Sequence, residues 1–485
     1  MLNSVDFSGR PFHFIGIGGI GMSALAHVLA SRDLPVSGSD LRLNPITERL
    51  AAQGVHIFNQ QRAENLAFFK GQTTPQVVCS TAIGAQNAEY AQAVAIGCPM
   101  FHRSDILAAL MNERKGIAIA GTHGKTTTSS LVGYLLLKAG IDPTIIIGGE
   151  VSTWSGNAYV GKSQYVVAEA DESDGSLVKL AAHIGVITNV ELDHPDHYSS
   201  LDQVVAIFDK FADQCETVIG SIDCPTVKSR LKPDISYSLE ADSGADYIAT
   251  HIRETAEMTT AEIWERGEKL GDLSVPLLGL HNLSNALAAV AVARQLGVSF
   301  ETLAAHLPGF QGASRRFEHR GFYQEILFVD DYAHHPSEVK ATLAAAQVQR
   351  SGAVPSGCDR HVIAVFQPHR YSRASTLLDE FAAAFDGADR ILVTDIYSAG
   401  ETNTANITGE KVAEAIAQHQ PNTEYCASLE AVTRSLQTSL YPGDIVIFLT
   451  AGNLNQIIPE VMSAYQDAAD LASLQPEMRP AAVLK

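Results

Sequence analysis

Ile117-Ala118-Ile119-Ala120-Gly121-Thr122-His123-Gly124-Lys125-Thr126-Thr127-Thr128 begins as a short apolar run, stops at a glycine, and passes into the helical pattern Ser129-Ser130-Leu131-Val132. That order predicts a strand, a tight loop and a helix. Backbone N–H groups in such a loop point inward, and the helix N-terminus adds partial positive charge, so the loop suits a polyphosphate. Lys125 would reach the outer phosphates as a point charge, and the Thr126 hydroxyl would face a bound Mg²⁺. The usual P-loop glycine five residues before Gly124 is replaced by Ile119, so the match is to the shorter form G-T-H-G-K-T. The expected ligand is ATP, touched by Gly121, Thr122, His123, Gly124, Lys125, Thr126 and Thr127.

Downstream, Gln164-Tyr165-Val166-Val167-Ala168 runs into Glu169, Asp171, Glu172 and Asp174. Carboxylates at a strand end beside a phosphate loop are what Mg²⁺ needs to neutralise a triphosphate. A third strand, Ile184-Gly185-Val186-Ile187, leads to Asp193-His194, which could complete that site. An alanine-rich helix follows from Leu280, with His281, Asn282 and Asn285 on its first turn; plain N-capping explains the first two equally well. Arg315 and Arg316 stand together in an acidic protein, and a planar guanidinium binds phosphate bidentately.

Upstream, Pro11–Ile15 reads as a buried strand entering a turn with Gly16, Gly18, Gly19 and Gly21. Gly16, Gly18 and Gly21 fit G-x-G-x-x-G, and Asp40 follows a second short strand, Val36-Ser37-Gly38-Ser39. A nicotinamide dinucleotide is the default reading, but any nucleotide diphosphate satisfies the same physics, so a nucleotide-sugar stays open. Strands ending at Ser80 and at His102-Arg103 complete this segment.

Beyond Gly321 four apolar strands alternate with helical patterns, and each ends in polar residues: Asp331-Tyr332-Ala333-His334, His369-Arg370, Asp395 and Asn453. Such alternation predicts a parallel sheet with ligands at the strand C-termini. The stretch from Val348 to Arg360 reads as a surface loop and the tail after Ser473 as frayed.

A length of 485 residues suggests about three domains at ~150 residues each. The net charge of -20 argues against nucleic acid or an anionic membrane surface as partner. The six cysteines, Cys79, Cys98, Cys215, Cys224, Cys358 and Cys426, show no C-x-x-C spacing and read as free thiols. The N-terminus lacks a basic and apolar leader pattern, and no apolar run approaches membrane-spanning length, so a cytoplasmic protein is expected.

Taken together and in order, F-I-G-I-G-G-I-G-M-S at 14–23, G-T-H-G-K-T-T-T at 121–128, E-A-D-E-S-D at 169–174, D-H at 193–194, H-N-L-S-N at 281–285, S-R-R-F-E at 314–318, D-D-Y-A-H-H-P-S-E at 330–338 and F-Q-P-H-R-Y-S-R at 366–373 resemble the Mur ligase family along the whole chain. The resemblance implies an α/β protein of three domains. These are an N-terminal Rossmann-like UDP-substrate domain (1–112), a central P-loop-type ATPase domain with a mostly parallel sheet (113–320), and a C-terminal Rossmann-like domain (321–485). It favours a UDP-sugar over a nicotinamide for the first loop, with Gly16, Gly18, Gly19, Gly21, Asp40, Ser80, His102 and Arg103 as contacts. Thr126, Glu169 and His194 would hold Mg²⁺, and Asn285 and Arg316 would touch ATP. Tyr332, His334, Arg370 and Arg373 would face the muramoyl and amino-acid side, with Lys125, His334, Asp331 and Arg370 as catalytic residues. The D-D-Y-A-H-H-P form resembles the alanine-adding branch, which implies UDP-N-acetylmuramate and L-alanine as substrates, an acyl phosphate intermediate, and a monomer or weak homodimer.

Overall fold

The structure, a computed structural model, describes residues 4–71, 73–352 and 359–466. Cys358, the tail after Ser473 and most of the expected loop between Val348 and Arg360 fall outside them; residues 348–350 close a helix, Pro336–Arg350.

Three sheets succeed one another along the chain. The first is all parallel, in the order His56–Phe58, Val36–Ser39, Phe12–Ile15, Gln76–Cys79, Met100–His102. Its central strand Phe12–Ile15 is buried throughout, whereas the edge strand His56–Phe58 is partly exposed. One polar cluster interrupts that core. The fully buried Glu89 carboxylate accepts from Ser39 Oγ and from Asn65 Nδ2 at 2.5 Å, and lies 3.3 Å from His13 Nε2.

The second sheet has ten strands. At its heart Lys115–Ala120 is flanked in parallel by Ile184–Ile187 and Tyr165–Glu169, with Ala120 level with Ile187 and Ile119 level with Glu169. This register brings three loops to one edge. Ile117 and Ile119 are fully buried, each contributing roughly 1.5–3 kcal/mol. Two antiparallel pieces, Thr144–Val151 with Gly156–Tyr159 and the meander Tyr247–Val275, close the two ends of the sheet. Nothing in the motif pattern had singled out that meander. The helix begins at Lys125, four residues before the apolar pattern suggested, so Lys125 to Thr128 are its first turn. The alanine-rich helix Leu280–Gln295 packs against it, and its small side chains let the two approach closely.

The third sheet runs Glu318–Tyr323, Ile326–Asp331, Ile445–Leu449, Val362–Phe366, Arg390–Thr394, Thr423–Cys426, parallel except at its first edge. Glu318–Tyr323 straddles the boundary expected at 320/321, and we propose that this unit begins nearer Arg315. Among the described residues no helix is long and apolar enough to cross a membrane.

Candidate active site

The phosphate loop is braced from the neighbouring strand end. Thr122 and His123 N–H donate to the Asn189 carbonyl and Oδ1 at 3.0 and 2.8 Å, and Thr188 Oγ1 donates to the His123 carbonyl at 2.6 Å. Gly124 has a φ of 81°, and a Cβ there would lie 2.5 Å from Asn285 Oδ1, so glycine is required on two counts. The first intrahelical bond runs from Thr128 N–H to the Gly124 carbonyl at 2.9 Å, so the Lys125, Thr126 and Thr127 N–H groups before it have no intrahelical partner.

Lys125 Nζ donates to the Gly121 and Thr122 carbonyls at 2.6 and 3.1 Å and pairs with Glu172 at 2.8 Å. Burial opposes the charge on Lys125, but Glu172, Asp171 and Glu169 outweigh it and raise its pKa. Glu172, only 2% exposed, is pushed up to about 7 by burial, against the pull of Lys125. Thr126 Oγ1 lies 3.0 Å from Glu169, which also accepts the Gly148 N–H at 2.7 Å, and Arg316 Nη2 donates to that threonine at 3.2 Å. His194 Nε2 lies 3.7 Å from Asp193 and 3.8 Å from Glu172, and burial lowers its pKa, so it is neutral at pH 7.

Lys125, Thr126, Glu169, His194 and Arg316 line a cleft of about 1070 Å³ shared by all three sheets. From the first come Gly16, Gly19, Gly21, Asp40, Ser80 and Arg103; from the third, Tyr332, His334, His369, Arg370 and Arg373. Arg103 pairs with Asp171 and Asp174 at 2.7 and 3.3 Å. A smaller pocket of about 230 Å³ opens behind the phosphate loop, lined by Thr127, His281, Asn282, Asn285 and Asp331. His123, Gly124, Arg316 and Glu338 border both cavities.

Family models match the chain in three consecutive pieces. Residues 11–115 match the Mur ligase family catalytic domain, 119–293 the Mur ligase middle domain, and 315–452 the Mur ligase glutamate ligase domain. The chain belongs to the Mur ligase family. It is 58% identical to the UDP-N-acetylmuramate–L-alanine ligase of Nostoc punctiforme, covering 98% of this chain and all of that one. Among solved structures it resembles a UDP-N-acetylmuramate-alanine ligase from Thermotoga maritima, with a TM-score of 0.79, 25% identity and 94% of this chain against 99% of that one. A murein peptide ligase from Psychrobacter arcticus gives a TM-score of 0.69 at the same 25% identity and the same coverage.

Within this Mur ligase the expected residues fall into three groups. Gly121, His123, Gly124, Lys125, Thr126, Glu169 and Arg316 cluster tightly, and Thr122 and His194 complete the same rim. Thr127 and Asn285 face the smaller pocket instead, where Asn285 Oδ1 accepts from Thr128 Oγ1 at 3.1 Å. Others brace the cleft. Gly18 is absent from the lining and donates its N–H to Asp40 Oδ2 at 2.9 Å, while His102 caps the helix Arg103–Asn112 and stands 3.6 Å from Asp174.

Asp331 also braces. It borders the smaller pocket, accepts from Phe317 and Ala333 N–H at 2.7 and 2.8 Å, and is pushed up to about 6 by burial. Arg370 pairs with Asp196 at 2.9 Å and Glu401 at 3.1 Å. Arg315 and Arg316 both sit over the Tyr332 ring, 4.8 and 5.1 Å from its centre. His334 Nδ1 lies between two acceptors, the Tyr332 carbonyl at 2.9 Å and Glu338 at 3.2 Å, so the hydrogen sits there and Nε2 keeps its lone pair. Burial lowers this ring to about 4.

Glu338 and Glu191 were missed from the sequence. Glu338 accepts the His334 N–H at 3.0 Å, the His335 N–H at 3.2 Å, and faces His123 Nδ1 at 3.1 Å. Its signal was the capping-box spacing after His335. Glu191 accepts Ser337 Oγ at 2.6 Å from across the junction, a contact no local pattern announces.

Proposed function

We propose that this Mur ligase joins L-alanine to UDP-N-acetylmuramate with cleavage of ATP to ADP and phosphate, in cytoplasmic peptidoglycan precursor synthesis. The observation that carries the proposal is the single cleft in which a phosphate loop, a glycine turn and a basic C-terminal rim meet. The relative of that name, 58% identical over nearly the full chain, supports the same reading.

A carboxylate is a poor electrophile and must be activated before an amine can attack. In the proposed path the muramate carboxylate oxygen attacks the ATP γ-phosphorus, ADP leaves, and an acyl phosphate results. Lys125 and the first-turn N–H groups stabilise charge building on the transferring phosphoryl group. Lys125 exchanges its Glu172 partner for phosphate oxygens as ATP enters. Thr127, Asn285 and the smaller pocket are positioned for the nucleoside side of ATP.

The donor set also fits Mg²⁺: the Thr126 hydroxyl and a Glu169 carboxylate oxygen lie 3.0 Å apart, hard oxygen donors of the kind that ion prefers, with neutral His194 nearby. When bound, Mg²⁺ neutralises the phosphates. The L-alanine amine, once deprotonated, attacks the acyl carbonyl, and the tetrahedral intermediate expels phosphate. His334 offers a neutral lone pair at the cleft to receive the amine proton. Tyr332, Arg370 and Arg373 form the rim on the amino-acid side.

Phosphate release with MgATP and UDP-N-acetylmuramate, each amino acid added in turn, tests the assignment. Release requiring both the UDP-sugar and L-alanine supports it. Release with a peptide but not alanine moves the chain to the murein-peptide branch, and release indifferent to both sinks the ligase reading.

A further inference from the structure

Beside the phosphate loop, where the second and third sheets meet, lies a cluster through which no step of the proposed ligation is routed, although two of its members, His123 and Glu191, also border the smaller pocket. His123 Nε2, Glu191 and His335 each offer one ligand atom, and these atoms lie within 4.8 Å of one another. Glu191 Oε2 is 3.4 Å from His123 Nε2 and 3.8 Å from His335 Nδ1. His123 Nε2 is buried without a well-formed hydrogen bond.

The opposite nitrogen of each ring is already taken. His123 Nδ1 points at Glu338 Oε1, 3.1 Å away, and His335 Nε2 at the Leu192 carbonyl, 3.3 Å away. Both opposite partners are acceptors, so those nitrogens carry hydrogens; His123 Nε2 and His335 Nδ1 then face Glu191, His335 Nδ1 also accepting the Ser337 N–H at 3.3 Å. Burial opposes charge on His123, but Glu338 and Glu191 outweigh it and raise the ring to about 10, so an entering ion must displace a proton from it. An imidazole that donates its far N–H to a carboxylate or a carbonyl while presenting the other nitrogen inward is the outer-sphere arrangement of a metal-binding histidine. Ser337 Oγ, donating to Glu191 at 2.6 Å, orients the third donor.

We propose that His123, Glu191 and His335 form a binding site for a transition-metal cation of the Zn²⁺ class, separate from the Thr126–Glu169–His194 set. Two imidazoles and one carboxylate suit Zn²⁺, leaving a fourth position for water; the softer nitrogens discriminate against Mg²⁺. The ligands come from the phosphate loop, the segment after Ile184–Ile187, and the start of the helix Pro336–Arg350. An ion bound there ties the second sheet to the third and fixes the phosphate loop between them.

The test titrates the chelator-treated full chain with Co²⁺ in excess Mg²⁺ at mildly alkaline pH, where protons compete less for the rings. One equivalent should bind with a visible ligand-field absorption and no thiolate charge-transfer band, and Zn²⁺ should displace it. His335→Asn and Glu191→Gln should each weaken binding at least tenfold, and His194→Asn should leave it unchanged. Anomalous diffraction from Zn²⁺-soaked wild-type crystals, which needs no variant, should place the ion between the three side chains. No binding, a thiolate band, binding unaffected by His335→Asn or lost in His194→Asn, or an anomalous peak elsewhere only would overturn the proposal.

Discussion

Arg373 grips Asp193 across the junction of the second and third sheets, Nε to Oδ1 at 2.8 Å and Nη2 to Oδ2 at 3.2 Å. The two side chains are only 2% and 5% exposed. Asp193 is held well below the ordinary carboxylate range: burial works against its charge, but Arg373 and then His194 outweigh it. Removing one partner of a buried pair strands the other, at a cost of about 3–5 kcal/mol. Arg373→Ala should therefore lose about that much in chemical denaturation, and Arg373→Ala with Asp193→Ala should recover a good part of it. A single-variant loss below about 1 kcal/mol would mean the clasp does not hold the sheets together.

The second expectation concerns Lys125. Lys125→Ala should abolish phosphate release and ligation, while UDP-N-acetylmuramate still binds nearly as in the parent, because its UDP contacts are expected on the first sheet. Calorimetric titration of the variant separates these effects. Loss of both would show that the loop and the UDP site are not independent.

Two histidines on the third sheet give a pH signature. Burial lowers His334 to about 4, and lowers His369 to about 3 with His334, Arg373 and Arg370 assisting. The ordinary value is 6.5, so the unfolded chain takes up these protons first. Stability from keeping the rings neutral is complete above 6.5 and is lost as pH falls toward 4 and then 3. Between about pH 7 and about pH 4.5 each should withdraw about 2 kcal/mol. Asp331 and Glu172, whose carboxyls are raised, act in the opposite sense in that range, so the readout is a comparison: His369→Gln should show a shallower acid loss than the parent. Parallel profiles would exclude His369 as a source.

In the first sheet Glu89 satisfies Ser39, Asn65 and His13 at once. Glu89→Leu preserves bulk but takes the acceptor from Ser39 Oγ and His13 Nε2 in the core, while Asn65 keeps the Gln60 carbonyl at 2.7 Å, a loss of about 3 kcal/mol or more. Thermal unfolding followed with ATP-site probes intact should show it. A neutral outcome would mean water or rearrangement replaces the carboxylate.

How much of this was legible depended on how local each signal was. Gly124-Lys125-Thr126 could be read because strand, loop and helix are contiguous, and Glu169 because a parallel sheet aligns strand ends. Glu191 could not be read as a site residue, since Ser337 lies 146 residues away, and Glu338 showed only as a helix cap because its contact with His123 spans 215 residues. Asp40 and Asp331 were expected in the site, but sequence cannot tell a carboxylate that meets a ligand from one that accepts loop N–H groups. Glu89 stands in the first turn of the helix Ala88–Ala95, and only the fold turns it inward.

The measurement that tests the central claim most directly uses UDP-N-acetylmuramate labelled with heavy oxygen in its carboxylate, incubated with MgATP and L-alanine. If the carboxylate attacks ATP to form an acyl phosphate, one labelled oxygen per amide formed appears in the released phosphate and the other stays in the amide carbonyl. Amide formation with unlabelled phosphate would contradict the account, because the muramate carboxylate would then never have been phosphorylated.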